Sequence, residues 1–217
     1  MSNQKTRLKI CGITTLEDAR YAAGALVDYL GFIFYPGSPR YITPRNASEI
    51  NGWIEGPEKI GVFVNQPMDE INQVVERAGI DLIQLHGDEE PEMARQLNKP
   101  IIKVFRLKGE DDLAAIQRKL EEWKGIAAYF MFDAYDSRQY GGTGKEWNWS
   151  LVTQLKTDIP YFLAGGISAD NVIAAVTEVR PFAIDLSSSL EMSPGIKDFD
   201  KIQNFMDLWN EWNEADS

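Results

Sequence analysis

One cysteine and one histidine stand among the 217 residues. A single Cys excludes an internal disulfide framework and a thiolate cluster, and with a single His it leaves no credible His/Cys zinc site. Long apolar runs are also missing. The opening Met1–Arg7 stretch is polar and short, so no leader peptide and no membrane span are expected, and the protein is expected to be cytoplasmic. Positive charge is scarce too: 22 Lys and Arg face 33 Asp and Glu, a net charge of -11. Such a field repels polyanions and excludes nucleic acid as the expected partner. It does not exclude a small anion held by local backbone N–H groups and one or two Arg.

What is present is a regular alternation. Hydrophobic residues make up 44% of the chain, enough for a large core. Short apolar runs rich in Val, Ile and Phe predict strands at Leu8–Cys11, Tyr29–Phe34, Ile60–Val64, Leu82–Leu85, Ile101–Phe105, Tyr129–Asp133, Tyr161–Ala164 and Ala183–Leu186. Helical patterns follow at Leu16–Ala25, Ala47–Trp53, Met68–Ala78, Glu90–Gln96, Asp111–Trp123, Ser150–Lys156, Asn171–Glu178 and Phe199–Trp212. Alternating strand and helix predicts a parallel sheet. Eight units of about 27 residues fit an α/β protein formed as a single closed (β/α)₈ TIM barrel over residues 1–217. An open doubly wound sheet is the other architecture considered, but Cys11-Gly12-Ile13-Thr14 stands where its Gly-rich dinucleotide turn belongs.

In a parallel α/β fold the chemistry gathers at the carboxyl ends of the strands. Cys11, Asn65, Arg106 and Asp133 end their predicted strands, and Gln84 and His86 flank the end of another. Cys11 and Asp133 are the two best proton carriers on that rim. Arg40, in the loop after the second strand, has the planar fork that suits a carboxylate. Alone, each residue has a plain reading: a buried thiol, a structural His, a surface Arg. Gly165 and Gly166 after strand seven and Ser187, Ser188 and Ser189 after strand eight stand where such barrels bind phosphate through backbone N–H groups. The loop Ala134–Lys145 is long enough to be a lid or substrate loop. Its Gly141-Gly142-Thr143-Gly144-Lys145 is not a P-loop, because Glu146 follows Lys145.

These motifs together resemble the N-(5′-phosphoribosyl)anthranilate isomerase family. The resemblance runs from Lys9-Ile10-Cys11-Gly12 through Gly31–Ile42, Gly61-Val62-Phe63-Val64-Asn65, Gln84-Leu85-His86-Gly87-Asp88-Glu89, Phe132-Asp133-Ala134 and Ala164-Gly165-Gly166. It closes on Asp185-Leu186-Ser187-Ser188, Glu191 and Pro194–Asp198. It implies a (β/α)₈ barrel and an Amadori rearrangement of an aminoaldose to an aminoketose in tryptophan biosynthesis. Asp133 is then the general acid, Cys11 the general base and Arg40 the partner of the anthranilate carboxylate. His86, Gly165, Gly166, Ser187, Ser188 and Ser189 also bind the anionic phosphosugar. No metal or organic cofactor is implied, and the protein is a monomer or a homodimer. Cys11 then needs donors or a cation to lower its pKa, and Asp133 needs burial to keep its proton.

The family usually has Gly where Ser189 stands. If that position needs positive φ, Ser carries a strain cost there; its hydroxyl could instead donate to the phosphate. A metal-dependent epimerase on the same barrel needs more His. An indole-glycerol-phosphate synthase needs a Lys set at strand ends, which is not apparent. A non-catalytic phosphate binder has no use for both Cys11 and Asp133. A second activity on a histidine-pathway substrate stays open.

Overall fold

The computed structural model describes residues 5–107, 113–133 and 149–215. Eight parallel strands close into one barrel in chain order. They are β1 (Arg7–Cys11), β2 (Tyr29–Ile33), β3 (Glu58–Phe63), β4 (Leu82–Leu85), β5 (Ile101–Arg106), β6 (Tyr129–Asp133), β7 (Tyr161–Ala164) and β8 (Ala183–Leu186). The closed parallel barrel is therefore the architecture, and the open sheet is excluded. The helices are α1 (Leu16–Gly24), α2 (Pro44–Asn51), α3 (Met68–Ala78), α4 (Pro91–Ala94), α5 (Leu113–Glu122), α6 (Ser150–Gln154), α7 (Val172–Val179) and α8 (Phe199–Ala215).

Strands β4, β6, β7 and β8 fall on the expected bounds. Three differences stand out. Helix α2 starts before Ala47, because Thr43 Oγ1 accepts from Asn46 N at 3.2 Å and Pro44 occupies the first turn; capping set this boundary, not apolar periodicity. Helix α4 is shorter than expected. A hairpin of β9 (Glu191–Ser193) and β10 (Ile196–Lys197), preceded by a 3-10 turn at Ser188–Leu190, was not expected; its strands are too short to show a period. The start expected for α5 at Asp111 and the expected lid Ala134–Lys145 lie outside the described residues. No helix among the described residues is long and apolar enough to cross a membrane.

Strand side chains alternate between the barrel interior and the helix layer. The outward set, including Leu8, Ile10, Leu30 and Phe130, joins the large core beneath the helices. The inward set is layered. Tyr29, Ile60, Leu82, Ile102, Phe162 and Ala183 form a separate apolar cluster. Above that cluster the bore turns polar, starting at Lys9, which pairs in the ladder with Tyr29 on β2 and with Asp185 on β8. Continuing the same alternation, Lys9 leads to Cys11, Gln84 to His86, Met131 to Asp133 and Asp185 to Ser187. The upper interior is thus polar, and it opens at the carboxyl ends of the strands.

Candidate active site

Cys11 and Asp133 both line one cavity of about 230 Å³ at the barrel mouth, with Arg40, His86, Gly165, Gly166, Ser187, Ser188 and Ser189 on its wall. The expected site residues therefore share one hollow. A larger hollow of about 510 Å³ lies between the loop after β4, β5 and α5. Its buried charges are already satisfied, since Lys103 Nζ donates to Glu89 Oε2 at 2.8 Å and to Gly87 O at 2.8 Å.

Two glycines make room for the first residues of the site. A Cβ on Gly31 would lie 2.7 Å from Cys11 Sγ, and one on Gly12 would lie 2.7 Å from Arg40 Cδ. Gly12 also has φ +82, a conformation that L side chains rarely adopt. Cys11-Gly12 is therefore a thiol followed by a gap through which the Arg40 stem passes.

The Cys11 thiol is buried, at 6% exposure. Burial raises its pKa; the positive charges of Lys9 and Lys197 pull it down, while Asp185 adds to the rise. The cationic neighbours that the sequence left unnamed are thus Lys9 and Lys197, and they do not overcome burial. Lys9 is fully buried. Its ammonium donates to Gln84 Oε1 at 2.8 Å and to Asp185 Oδ2 at 2.9 Å. Burial works against that ammonium, but the charges of Asp185 and Cys11 more than offset it and hold it above the ordinary lysine value. Burial in turn raises the Asp185 carboxyl, against the charge of Lys9.

Asp133 ends β6 with its side chain 17% exposed. His86 Nε2 stands 3.5 Å from Asp133 Oδ2, and His86 Nδ1 stands 3.1 Å from Gln84 Nε2. The acid candidate, the histidine and the buried Lys9 are therefore linked through Gln84.

On the opposite wall, Gly165 and Gly166 both have positive φ, +92 and +60, which turns their backbone towards the cavity without a Cβ in the way. The first N–H groups of the Ser188–Leu190 turn lack partners within it. Ser189 does not adopt positive φ, a conformation that only Leu26, Asn65 and Arg180 among the described non-glycine residues show. The condition for strain at Ser189, a positive φ, is therefore not met, and a 3-10 turn accepts any L residue there. Ser189 Oγ and Asp185 Oδ1 are buried with no hydrogen-bond partner among the described residues, and both residues line the cavity.

Arg40 is not a free fork. Its Nε donates to Glu191 Oε1 at 2.8 Å and its Nη2 to Glu191 Oε2 at 2.6 Å. Lys197 Nζ donates to Glu191 Oε1 at 3.0 Å and to Cys11 O at 2.6 Å. Burial alone would raise Glu191; the Arg40 hydrogen bonds and the Lys197 charge outweigh it and hold the carboxyl below its ordinary value. Burial draws Lys197 below the usual lysine value, against the pull of Glu191. The β9–β10 hairpin thus ties the mouth together, and Thr14 Oγ1 donates to Gly195 O across it.

Sequence reasoning missed Lys9, Asp185, Glu191 and Lys197 as members of the site. A signal existed for the first two: each interrupts an apolar strand, Leu8-Lys9-Ile10 and Ile184-Asp185-Leu186, where a charge must be paired or functional. Neither Lys9, one layer below the rim, nor Lys197, on the hairpin, stands at the end of a barrel strand.

Comparison with known proteins agrees with this geometry. The family model for N-(5′-phosphoribosyl)anthranilate (PRA) isomerase matches residues 8–208. The N-(5′-phosphoribosyl)anthranilate isomerase of Geotalea uraniireducens (strain Rf4) is 42% identical over 202 residues, covering 93% of this chain and 97% of its own. The crystal structure of phosphoribosyl anthranilate isomerase from Thermotoga maritima superposes with a TM-score of 0.82 at 34% identity, covering 95% of this chain and all of the other. A phosphoribosyl anthranilate isomerase in complex with reduced 1-(o-carboxyphenylamino)-1-deoxyribulose 5-phosphate has a TM-score of 0.80 at 32% identity, with coverage of 95% and 100%.

Proposed function

We infer the role of each site residue from one premise: this chain belongs to the N-(5′-phosphoribosyl)anthranilate isomerase family and catalyses PRA isomerisation in tryptophan biosynthesis. The reaction converts N-(5′-phosphoribosyl)anthranilate to 1-(2-carboxyphenylamino)-1-deoxyribulose 5-phosphate. It needs an acid to protonate the ribose ring oxygen and open the ring to a Schiff base. It then needs a base to remove the C2′ proton, giving an enolamine that tautomerises to the ketone. Asp133 is the acid and Cys11 the base. The observation that carries this reading is that both side chains line one cavity, on strands β1 and β6 of the closed barrel.

The anionic phosphosugar fills the remaining wall. Its phosphate accepts from backbone N–H groups at Gly165, Gly166, Ser187 and Ser188, and from the orphaned Ser189 hydroxyl. The anthranilate carboxylate meets Arg40, whose plane Glu191 fixes. Asp185 Oδ1 is positioned to accept from a ribose hydroxyl. His86 adjoins Asp133. No step calls for a metal or an organic cofactor. The chain works as one catalytic unit over residues 1–217, as a monomer or homodimer in the cytoplasm.

Turnover tests the reading. N-(5′-phosphoribosyl)anthranilate is generated in place from anthranilate and phosphoribosyl pyrophosphate, and its fluorescence is followed after addition of the purified protein. Rapid loss that vanishes in Cys11→Ala supports the assignment; unchanged loss in that variant removes Cys11 as the base. Because the reaction needs the Cys11 thiolate and the Asp133 carboxylic acid in the same molecule, kcat/KM is expected to fall at both ends of its pH profile, and a profile that rises to an alkaline plateau contradicts the pairing.

A further inference from the structure

The chain's single histidine sits in a hydrogen-bond pattern that fixes where its proton lies. Gln84 is buried, at 1% exposure, between Lys9 and His86. An ammonium can only donate, so the Gln84 amide atom 2.8 Å from Lys9 Nζ is its oxygen. The amide nitrogen then faces His86 Nδ1 at 3.1 Å. An amide nitrogen also can only donate. Nδ1 must therefore accept, and the ring proton lies on Nε2, which is 3.5 Å from Asp133 Oδ2.

We propose that Lys9 and Gln84 are positioning residues that hold His86 as the neutral Nε2–H imidazole directed at Asp133. A doubly protonated ring would set Nδ1–H against the Gln84 amide N–H, and the amide cannot turn over without losing Lys9. Cys11 on β1, Asp133 on β6, Asp185 on β8 and Arg40 line the same cavity as the ring, and Arg106 on β5 donates through Nη2 to His86 O at 2.9 Å. The Lys103–Glu89 pair beneath the next loop is neutral as a unit. Gln84 decides the outcome because, of these groups, it is the one that hydrogen-bonds Nδ1.

The catalytic meaning rests on Asp133 being the acid. An imidazolium would lock Asp133 as a carboxylate through a close ion pair and deprive it of that role. A neutral N–H engages Oδ2 only lightly and leaves the other oxygen to carry the proton to the sugar. Lys9 also lies beside Cys11, so one buried cation supports the base directly and orients the acid through two intermediaries.

Nitrogen NMR on protein labelled at histidine tests this directly, since the chain contains one imidazole. At neutral pH the wild type is expected to carry its proton on Nε2, with Nδ1 unprotonated. Gln84→Glu supplies only acceptors and should move a proton onto Nδ1, lowering kcat about 10-fold while KM changes by less than about 2-fold. Gln84→Met keeps the volume and should leave both tautomers populated. A wild-type spectrum with the proton on Nδ1 overturns the proposal without any variant, and so does a Gln84→Glu spectrum identical to wild type. A merely structural Gln84 would leave the ring spectrum unmoved. The acid assignment fails separately: if Asp133→Asn turns over normally while the Nε2–H tautomer is present, Asp133 is not the acid and the tautomer proposal stands.

Discussion

The two halves of the barrel interior are built on the same strands and the same two-residue alternation, yet they do opposite work. At the amino ends Tyr29, Ile60, Leu82, Ile102 and Phe162 are buried against one another, with Phe162 and Tyr29 rings 5.4 Å apart. Further along, Lys9, Gln84 and Asp185 fill the same bore, and above them stand Cys11, His86 and Asp133. The lower half gains stability from removing apolar surface from water. The upper half buries charges whose desolvation cost is met only by close pairing, so a mouth of this kind is retained for chemistry rather than for stability.

This contrast can be broken or sharpened by substitution. The largest effects should separate completely. Cys11→Ala and Asp133→Asn should each lower kcat by ~10²-fold or more with little change in thermal midpoint, whereas Phe162→Ala should cost about 3–5 kcal/mol of stability while the folded fraction keeps its kcat. Turnover and thermal unfolding of the same three preparations check both halves at once; a rate loss in Phe162→Ala matching that of Cys11→Ala would erase the division. Next comes the buried pair. Lys9→Met should cost about 3–5 kcal/mol by leaving the Asp185 carboxylate unpaired, and adding Asp185→Leu should recover most of that stability but none of the activity. Recovery of turnover in the double variant would show that the pair is structural.

Smaller effects follow at the rim. Arg40→Ala should raise KM about 10-fold with a lesser change in kcat; an unchanged KM removes Arg40 from substrate binding. The smallest is a pH effect. Glu191 is held below its ordinary value of 4.5 by Arg40 and Lys197. Its contribution to stability is therefore complete above the ordinary value and is lost as pH falls through the lower folded one. The gap in thermal midpoint between wild type and Glu191→Gln should narrow from neutral pH down past that point. A gap that stays constant contradicts it.

The lower half of this contrast was legible early. The apolar runs that became β1–β8 needed no partner to be read, because a strand buried on both faces is apolar along its whole length. Cys11, Asp133 and the Gly165–Gly166 turn were legible because a strand end is a local feature. Lys9 was visible as a charge inside an apolar run but not as a neighbour of Gln84, which lies 75 positions away. The β9–β10 hairpin was too short to show a period, and with it the Glu191 and Lys197 contacts to Arg40 and Cys11 stayed hidden.

The sequence by itself determined the alternation of strands and helices, the closed barrel and the rim that carries the chemistry, because periodicity and strand-end composition are properties of contiguous residues. Only the tertiary structure decided which rim groups meet. It brought β1, β4 and β8 around one bore so that Lys9 reaches both Gln84 and Asp185, and it laid Glu191 against Arg40. The reason is physical: hydrogen-bond partners and desolvation depend on distance through space, and closing the barrel sets those distances between residues far apart in the chain.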